Sequence, residues 1–201
     1  MKKTILPILL LMLPFVCGAQ SLDNLSAGAK LGYNMSWNTC SNSLAPKSGI
    51  VVGAYGEYDL TDLCYGLYGR AELLYNHIGY KGHFDDTRYK VKFNYISIPL
   101  LAQAKFYHKT ISAMAGPQIG FNLGGRERWI YPNGDKESTS WYKVDNVFDL
   151  SLVVGASCRI LYNVDLDVRY AVGLLNVYHH SDILLGSHNH VVSIGLNYKI
   201  F

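Results

Sequence analysis

Nine charged residues sit at alternating positions inside otherwise apolar segments: Arg70, Glu72, Lys105, Asp149, Arg159, Asp165, Asp167, Arg169 and Lys199. Charges withdrawn from water must be paired and hydrogen-bonded, because each is otherwise costly. Their mixed signs predict a structural network of ion pairs, and the functional alternative is a proton or ion path through it. A second group comprises His179, His180, His188 and His190, with Ser181, Asp182 and Ser187 between them and His77 and His83 at the same end of other segments. Neutral imidazole is a common metal ligand, but this spacing matches no closed zinc pattern. A polar loop is therefore expected, with no metal and no cofactor. A third chemistry would pair Ser181 or Ser187 with His180 as nucleophile and base, as in a lipid-modifying enzyme of the outer leaflet. Such catalysis needs the base within reach and an orienting acid. No motif constrains these residues and no Gly-x-Ser-x-Gly elbow occurs, so the chain is read as a non-enzyme.

These residues must be held by strands. Eight segments alternate in character, at roughly 25–37, 49–60, 65–80, 90–106, 110–124, 145–159, 164–176 and 190–201. Successive side chains on a strand point to opposite faces. The seventh segment places Val164, Leu166, Val168, Tyr170, Val172 and Leu174 on one face and Asp165, Asp167 and Arg169 on the other. The fourth segregates Ile96, Ile98 and Leu100 from Tyr95, Ser97, Gln103 and Lys105, and the third Leu67, Ala71 and Leu73 from Arg70 and Glu72. Every charge placed in mid-strand avoids the apolar face, where Arg or Lys at a bilayer midplane costs about 2–4 kcal/mol.

Parity alone does not say which face is wet, since a soluble up-and-down barrel would carry its polar set outside. Three further features favour the membrane. Connections alternate between short (Thr61–Cys64, Tyr107–Lys109, the stretch around Ile160–Asn163) and long, the rhythm of periplasmic turns and extracellular loops. The last segment alternates Val192, Ile194, Leu196, Tyr198 and Ile200 with Ser193, Gly195, Asn197 and Lys199 up to Phe201. Lys2 and Lys3, an apolar run from Ile5 to Val16 and Cys17-Gly18-Ala19 describe a secretory signal peptide over 1–19, leaving a barrel domain over 20–201. Acylation of Cys17 is the less favoured alternative, because Pro14-Phe15-Val16 fits a lipoprotein signal poorly.

The 201 residues carry a formal charge of +3, with sixteen tyrosines and nineteen glycines, a load that suits a barrel with aromatic girdles. Basic residues are scattered, so no nucleic-acid partner is expected. Cys40, Cys64 and Cys158 remain after cleavage, an odd number, and are read as unpaired. Pro132-Asn133-Gly134-Asp135 is a turn signal between Trp129-Ile130-Tyr131 and Trp141-Tyr142. It predicts that the fifth and sixth segments continue as a hairpin above the membrane. Trp37 and Trp129 are expected in a girdle at headgroup level, while Tyr131, Trp141 and Tyr142 are candidate contacts for a surface partner.

Tyr95-Ile96-Ser97-Ile98-Pro99-Leu100-Leu101 followed by Gly116-Pro117-Gln118-Ile119-Gly120 resembles the PorT-like outer-membrane β-barrel family of Bacteroidetes-type bacteria, whose members often carry the label "porin family". Asp167-Val168-Arg169-Tyr170 with Gly173-Leu174, and Ile194-Gly195-Leu196-Asn197-Tyr198, resemble that family's last hairpin. The resemblance implies an eight-stranded barrel in the outer membrane, without an open pore, a catalytic residue or a transferable role in secretion. Ser193, Gly195, Tyr198 and Ile200 resemble the insertion signal read by the barrel-assembly machinery, with Phe201 one residue out of register.

The expectation is thus an all-β, eight-stranded antiparallel up-and-down transmembrane β-barrel with short periplasmic turns and long extracellular loops. It is a monomer whose partners are outer-membrane lipid and, during insertion, the assembly machinery. Its side-chain-filled lumen leaves a structural or surface-interaction role to the external loops. A narrow porin-like channel and a lipid-modifying enzyme are the alternatives.

Overall fold

Period-two alternation over ten or more residues favours long strands, and long strands form. The computed structural model describes residues 24–38, 45–84, 87–133, 135–141, 147–175 and 188–201. Its elements are β1 (Leu25–Asn38), β2 (Ala45–Asp59), β3 (Leu67–Phe84), β4 (Thr87–Phe106), β5 (Ile111–Ile130), β6 (Lys136–Trp141), β7 (Phe148–Leu161), β8 (Val164–Gly173) and β9 (Asn189–Lys199). All pairings are antiparallel. Eight strands close in chain order, with β5 joined to β7, and β9 returning to β1 from Gly28 opposite Lys199 to Asn38 opposite Asn189. Closure removes every barrel edge, so no backbone row is left unpaired toward lipid.

The outward side chains are apolar around the ring: Leu31, Tyr33, Ile50, Val52, Leu73, Leu100, Leu152, Val168, Ile194 and Leu196 are all exposed. Along β8 and one residue past it this belt runs from Val164 to Leu174, roughly 33 Å of strand and about 25 Å of height at the tilt of a barrel, which matches the apolar band of an outer-membrane barrel. The chain's two described ends and the connections 60–66, 107–110 and 162–163 share one end of the barrel. Tyr107, His108 and Lys109 take φ values of 46°, 55° and 64°, a run of left-handed residues that reverses the chain in minimal length.

Three departures from the sequence expectation occur at the other end. The connection expected over 80–90 is mostly strand: β3 and β4 stay paired from Tyr80 opposite Val91 out to Phe84 opposite Thr87. Its outward positions are polar, because strands beyond the lipid need no apolar exterior, so the alternation used to find strands reverses its meaning there. A ninth strand precedes the sixth expected segment: β6 pairs only with the outer part of β5, while β7, over that segment, completes the barrel. The Pro132–Asp135 signal does close the β5–β6 hairpin, where the amide of Tyr131 donates to the carbonyl of Asp135 at 3.0 Å. The third departure is a β-bulge on β5: Asn94 lies opposite Gly124 but Tyr95 opposite Asn122, leaving Leu123 as the extra residue. Gly124 has φ +118°, a conformation that side chains rarely adopt. Its amide is held by the Asn122 side-chain oxygen at 2.9 Å. One extra residue inverts the parity of everything beyond it.

Residues 1–23, including the expected signal peptide, and Cys40, Tyr142, His179, His180, Ser181, Asp182 and Ser187 lie outside the described residues, as do the side chains of His83 and Trp141. Cys64 and Cys158 are free and exposed.

Candidate functional site

The lumen holds a chain of alternating charges. Lys30 Nζ meets Asp167 Oδ2 at 2.6 Å, and the same oxygen receives Arg169 Nη2 at 2.6 Å. Arg169 also forks onto Glu72, its two terminal nitrogens reaching the two carboxylate oxygens at 2.7 and 2.8 Å. Glu72 accepts Arg70 Nε at 2.5 Å, Arg70 Nη1 lies 3.7 Å from Glu57, and Glu57 pairs with Lys105. The order is Lys30, Asp167, Arg169, Glu72, Arg70, Glu57, Lys105, cation and anion in strict succession on β1, β2, β3, β4 and β8. Bidentate Arg–carboxylate forks suit such a dry site because they satisfy several donors at once. Aromatic faces complete the wall: the Arg70 guanidinium lies 3.8 Å from the Tyr55 ring centre and Lys105 Nζ 3.9 Å from that of Tyr68.

Neutral rungs and an apolar plug fill the remainder. Gln103 Nε2 donates to Ser112 Oγ at 2.7 Å, Ser112 shares a 2.6 Å hydroxyl bond with Ser157, and Asn76 Nδ2 donates to Ser97 Oγ at 2.9 Å. Toward the loop end, Val91, Phe93 and Tyr95 are buried with Ile78 and Tyr80 packed on them. Between plug and charges lies a cavity of about 40 Å³, lined by Lys30, Asn34, Gln118 and Arg169 among others. Gly195 is required beside it, since a Cβ there would come within 2.9 Å of Asp167 Oδ1 and 3.0 Å of Lys30 Cε.

The nine charges singled out in the sequence are thereby sorted. Arg70, Glu72, Lys105, Asp167 and Arg169 belong to the chain of ion pairs. Arg159 and Asp165 form a separate pair at 3.2 Å at the turn end, with side chains 34% and 20% exposed. Two depart from the network expectation. Lys199 is exposed at the turn-end mouth beside Arg159, Tyr162 and Asn163, because β9 ends there and the side chain reaches water. Asp149 lies opposite Gly120 near the loop end, beyond the network's reach, and has no ion pair with a described residue. Lys30 and Glu57 were missed. Lys30 stood on the polar parity of a segment traced only through Leu25, Ala27, Ala29, Leu31 and Tyr33. Glu57 lies on a strand with apolar residues on both faces, Val51 and Tyr55 within and Ile50 and Val52 without, where parity carries little signal.

Trp37 sits on the outer surface in a cluster with His190 and Tyr170, the three ring centres lying 5.7, 5.9 and 6.4 Å from one another. Tyr170 Oη and His190 Nδ1 are 2.6 Å apart. Trp129 does not join that girdle. The bulge turns it to the face shared by Val91, Glu127 and Glu137, and sends Arg126 and Arg128 outward instead. On the hairpin, Tyr131 donates its hydroxyl to Glu137 at 3.0 Å, and the carboxylate beside it holds the phenol above its ordinary pKa. Burial raises the carboxyl of Glu127, against an opposing hydrogen bond from Trp129. Among the described residues no three His, Cys, Asp or Glu side chains converge as a metal site would require.

The geometry on the page is one of a filled barrel with a sheet of β3, β4, β5 and β6 standing above it. A family model described as an outer membrane protein beta-barrel domain matches residues 19–179. The attachment invasion locus protein Ail of Yersinia pestis, solved in complex with the heparin analogue sucrose octasulfate, is similar at TM-score 0.52 and 14% identity, over 88% of this chain and 99% of Ail. Neisserial surface protein A is similar at TM-score 0.44 and 16% identity, over 89% and 98%. The N-terminal β-barrel domain of Pseudomonas aeruginosa OprF follows at 0.34 and 13%, over 85% and 97%. No curated protein sequence matches. At these identities the likeness is one of fold.

Proposed function

The chain belongs to the outer membrane protein beta-barrel domain family, and from that premise we propose that it is a closed barrel acting at the cell surface by binding, not by transport or catalysis. The observation that carries this reading is the lumen. Its ion pairs, hydroxyl rungs and apolar plug surround an internal cavity of about 40 Å³, room for a few waters. A barrel so filled offers its extracellular sheet as the working surface. The motifs over Tyr95–Leu101 and Gly116–Gly120 support placing it in the PorT-like branch, as a monomer.

Reconstitution of the full mature chain into planar bilayers tests this. The expected record shows no discrete conductance steps, and reproducible steps overturn it. A narrow water or ion path is the second reading, favoured by one observation: both polar atoms of the Asn34 side chain, Asp167 Oδ1 and Asn197 Nδ2 are buried without a partner among the described residues. Groups of that kind suit water-mediated bonding. Steps abolished by Asn34→Leu would establish that alternative.

A further inference from the structure

We propose that the outward face of the β3–β5 extension, carrying Lys81, Arg88, Lys90, Lys92, Arg126 and Arg128, docks the phosphate groups of the anionic glycolipid in the surrounding outer leaflet. This deepens the surface reading above and rests on it. The cross-strand register carries the inference. Lys81 lies opposite Lys90, Lys90 opposite Arg128, and Lys92 opposite Arg126. Like charges placed directly opposite are destabilising in a sheet, and here three such pairs adjoin one another across three strands. None of the six cations forms an ion pair with a described residue. Among the described residues of these strands, the carboxylates Glu127 and Glu137 are on the other face, in register with Val91 and Trp129 respectively. The described charges of the sheet are thus separated by face, which leaves the cations open to an external anion.

Position selects which anion. Lys92 follows Ile96 on the same face of β4, four residues beyond it, roughly 13 Å of strand and about 10 Å of height. That reaches the outer side of the headgroup layer, which adds about 5–8 Å to each side of a hydrocarbon core. On β5 the lipid-facing Phe121 and Leu123 give way to Arg126 and Arg128. The basic face therefore continues the lipid face upward, where membrane phosphates lie. Lys47 reports the same field from behind: its Nζ donates to the Val91 carbonyl at 2.5 Å, and burial, then Lys92, Lys81 and Lys90, bring its ammonium down to about 8.

The test uses the full mature chain in nanodiscs of phosphatidylethanolamine doped with bisphosphorylated lipid A, with lipid retained per barrel counted by mass spectrometry. The wild type is expected to enrich the bisphosphorylated lipid, and to lose that enrichment at high salt. The variant K90Q/K92Q/R126Q/R128Q is expected to lose it by about tenfold or more, while still migrating as a heat-modifiable folded barrel. The opposite-face variant E127Q/E137Q is expected to retain it. Undiminished enrichment in the quadruple variant, or no preference for lipid A over its dephosphorylated form, overturns the proposal. So does saturable binding of soluble sucrose octasulfate with no lipid enrichment, which would assign the face to a free polyanion. Bilayer recordings on the same preparation keep the two readings apart. Conductance with lipid enrichment intact defeats the closed-barrel reading alone, and a silent barrel without enrichment defeats this one alone.

Discussion

At the scale of single residues, the lumen distributes cost unevenly. Glu72 touches both Arg70 and Arg169, and its side chain is 0% exposed. Replacing it by Gln leaves two guanidiniums in a dry interior with one anionic partner each, Glu57 for Arg70 and Asp167 for Arg169. Breaking a buried pair in this manner costs about 3–5 kcal/mol. Glu72→Gln is therefore expected to lower the temperature at which the folded, detergent-resistant band is lost on a gel, and to lower the urea midpoint. Arg159→Gln breaks a half-exposed pair and is expected to cost less than about 1 kcal/mol. Equal shifts from the two substitutions would contradict the network as drawn.

At the scale of elements, the bulge on β5 decides what the extracellular sheet displays. Without the extra residue Leu123, the strand would carry Trp129 outward and fold Arg126 and Arg128 toward the apolar plug of Val91 and Phe93. Gly124 makes the bulge possible through its φ of +118°. Gly124→Val puts a β-branched residue where few L-residues go, at a cost of about 1–3 kcal/mol. The strand can relieve that cost by giving up the bulge. The expected result is a cysteine at position 126 that reacts rapidly with a membrane-impermeant thiol reagent in the wild-type background and slowly beside Gly124→Val. Unchanged labelling would show that something other than Gly124 holds the parity inversion.

At the scale of the whole molecule, the barrel must first be inserted. Tyr198 and Ile200 face lipid beside the seam where β9 closes onto β1, and Gly195 faces the ion pairs within. We propose that Ser193, Gly195, Tyr198 and Ile200 are read by the assembly machinery before closure. Tyr198→Ala removes an exposed lipid-facing ring and leaves the lumen intact. It is expected to slow appearance of the folded form in cells, while the folded barrel melts within a few degrees of the wild type. A large loss of melting temperature would instead make Tyr198 a structural residue of the seam.

Much of this molecule was legible in the residues themselves. Val164 to Leu174 against Asp165, Asp167 and Arg169 is a period-two pattern. Beside lipid such a pattern has one stable arrangement, apolar side out and charge in, because an unpaired charge or backbone group cannot face hydrocarbon. Strand number, turn rhythm and lumen-facing charges follow from that constraint, which acts on each strand separately. Two features needed the closed tertiary structure. Pairing partners such as Lys30 and Asp167 lie 137 residues apart and meet across the lumen only once the ring closes. The parity inversion at Leu123 is a mismatch between two strands, Asn94–Tyr95 against Asn122–Gly124, and neither strand records it alone. Beyond the lipid, where the outer face is free to be polar, the solvent no longer dictates which side is which, and only the register of β3, β4 and β5 brings their cations to one face.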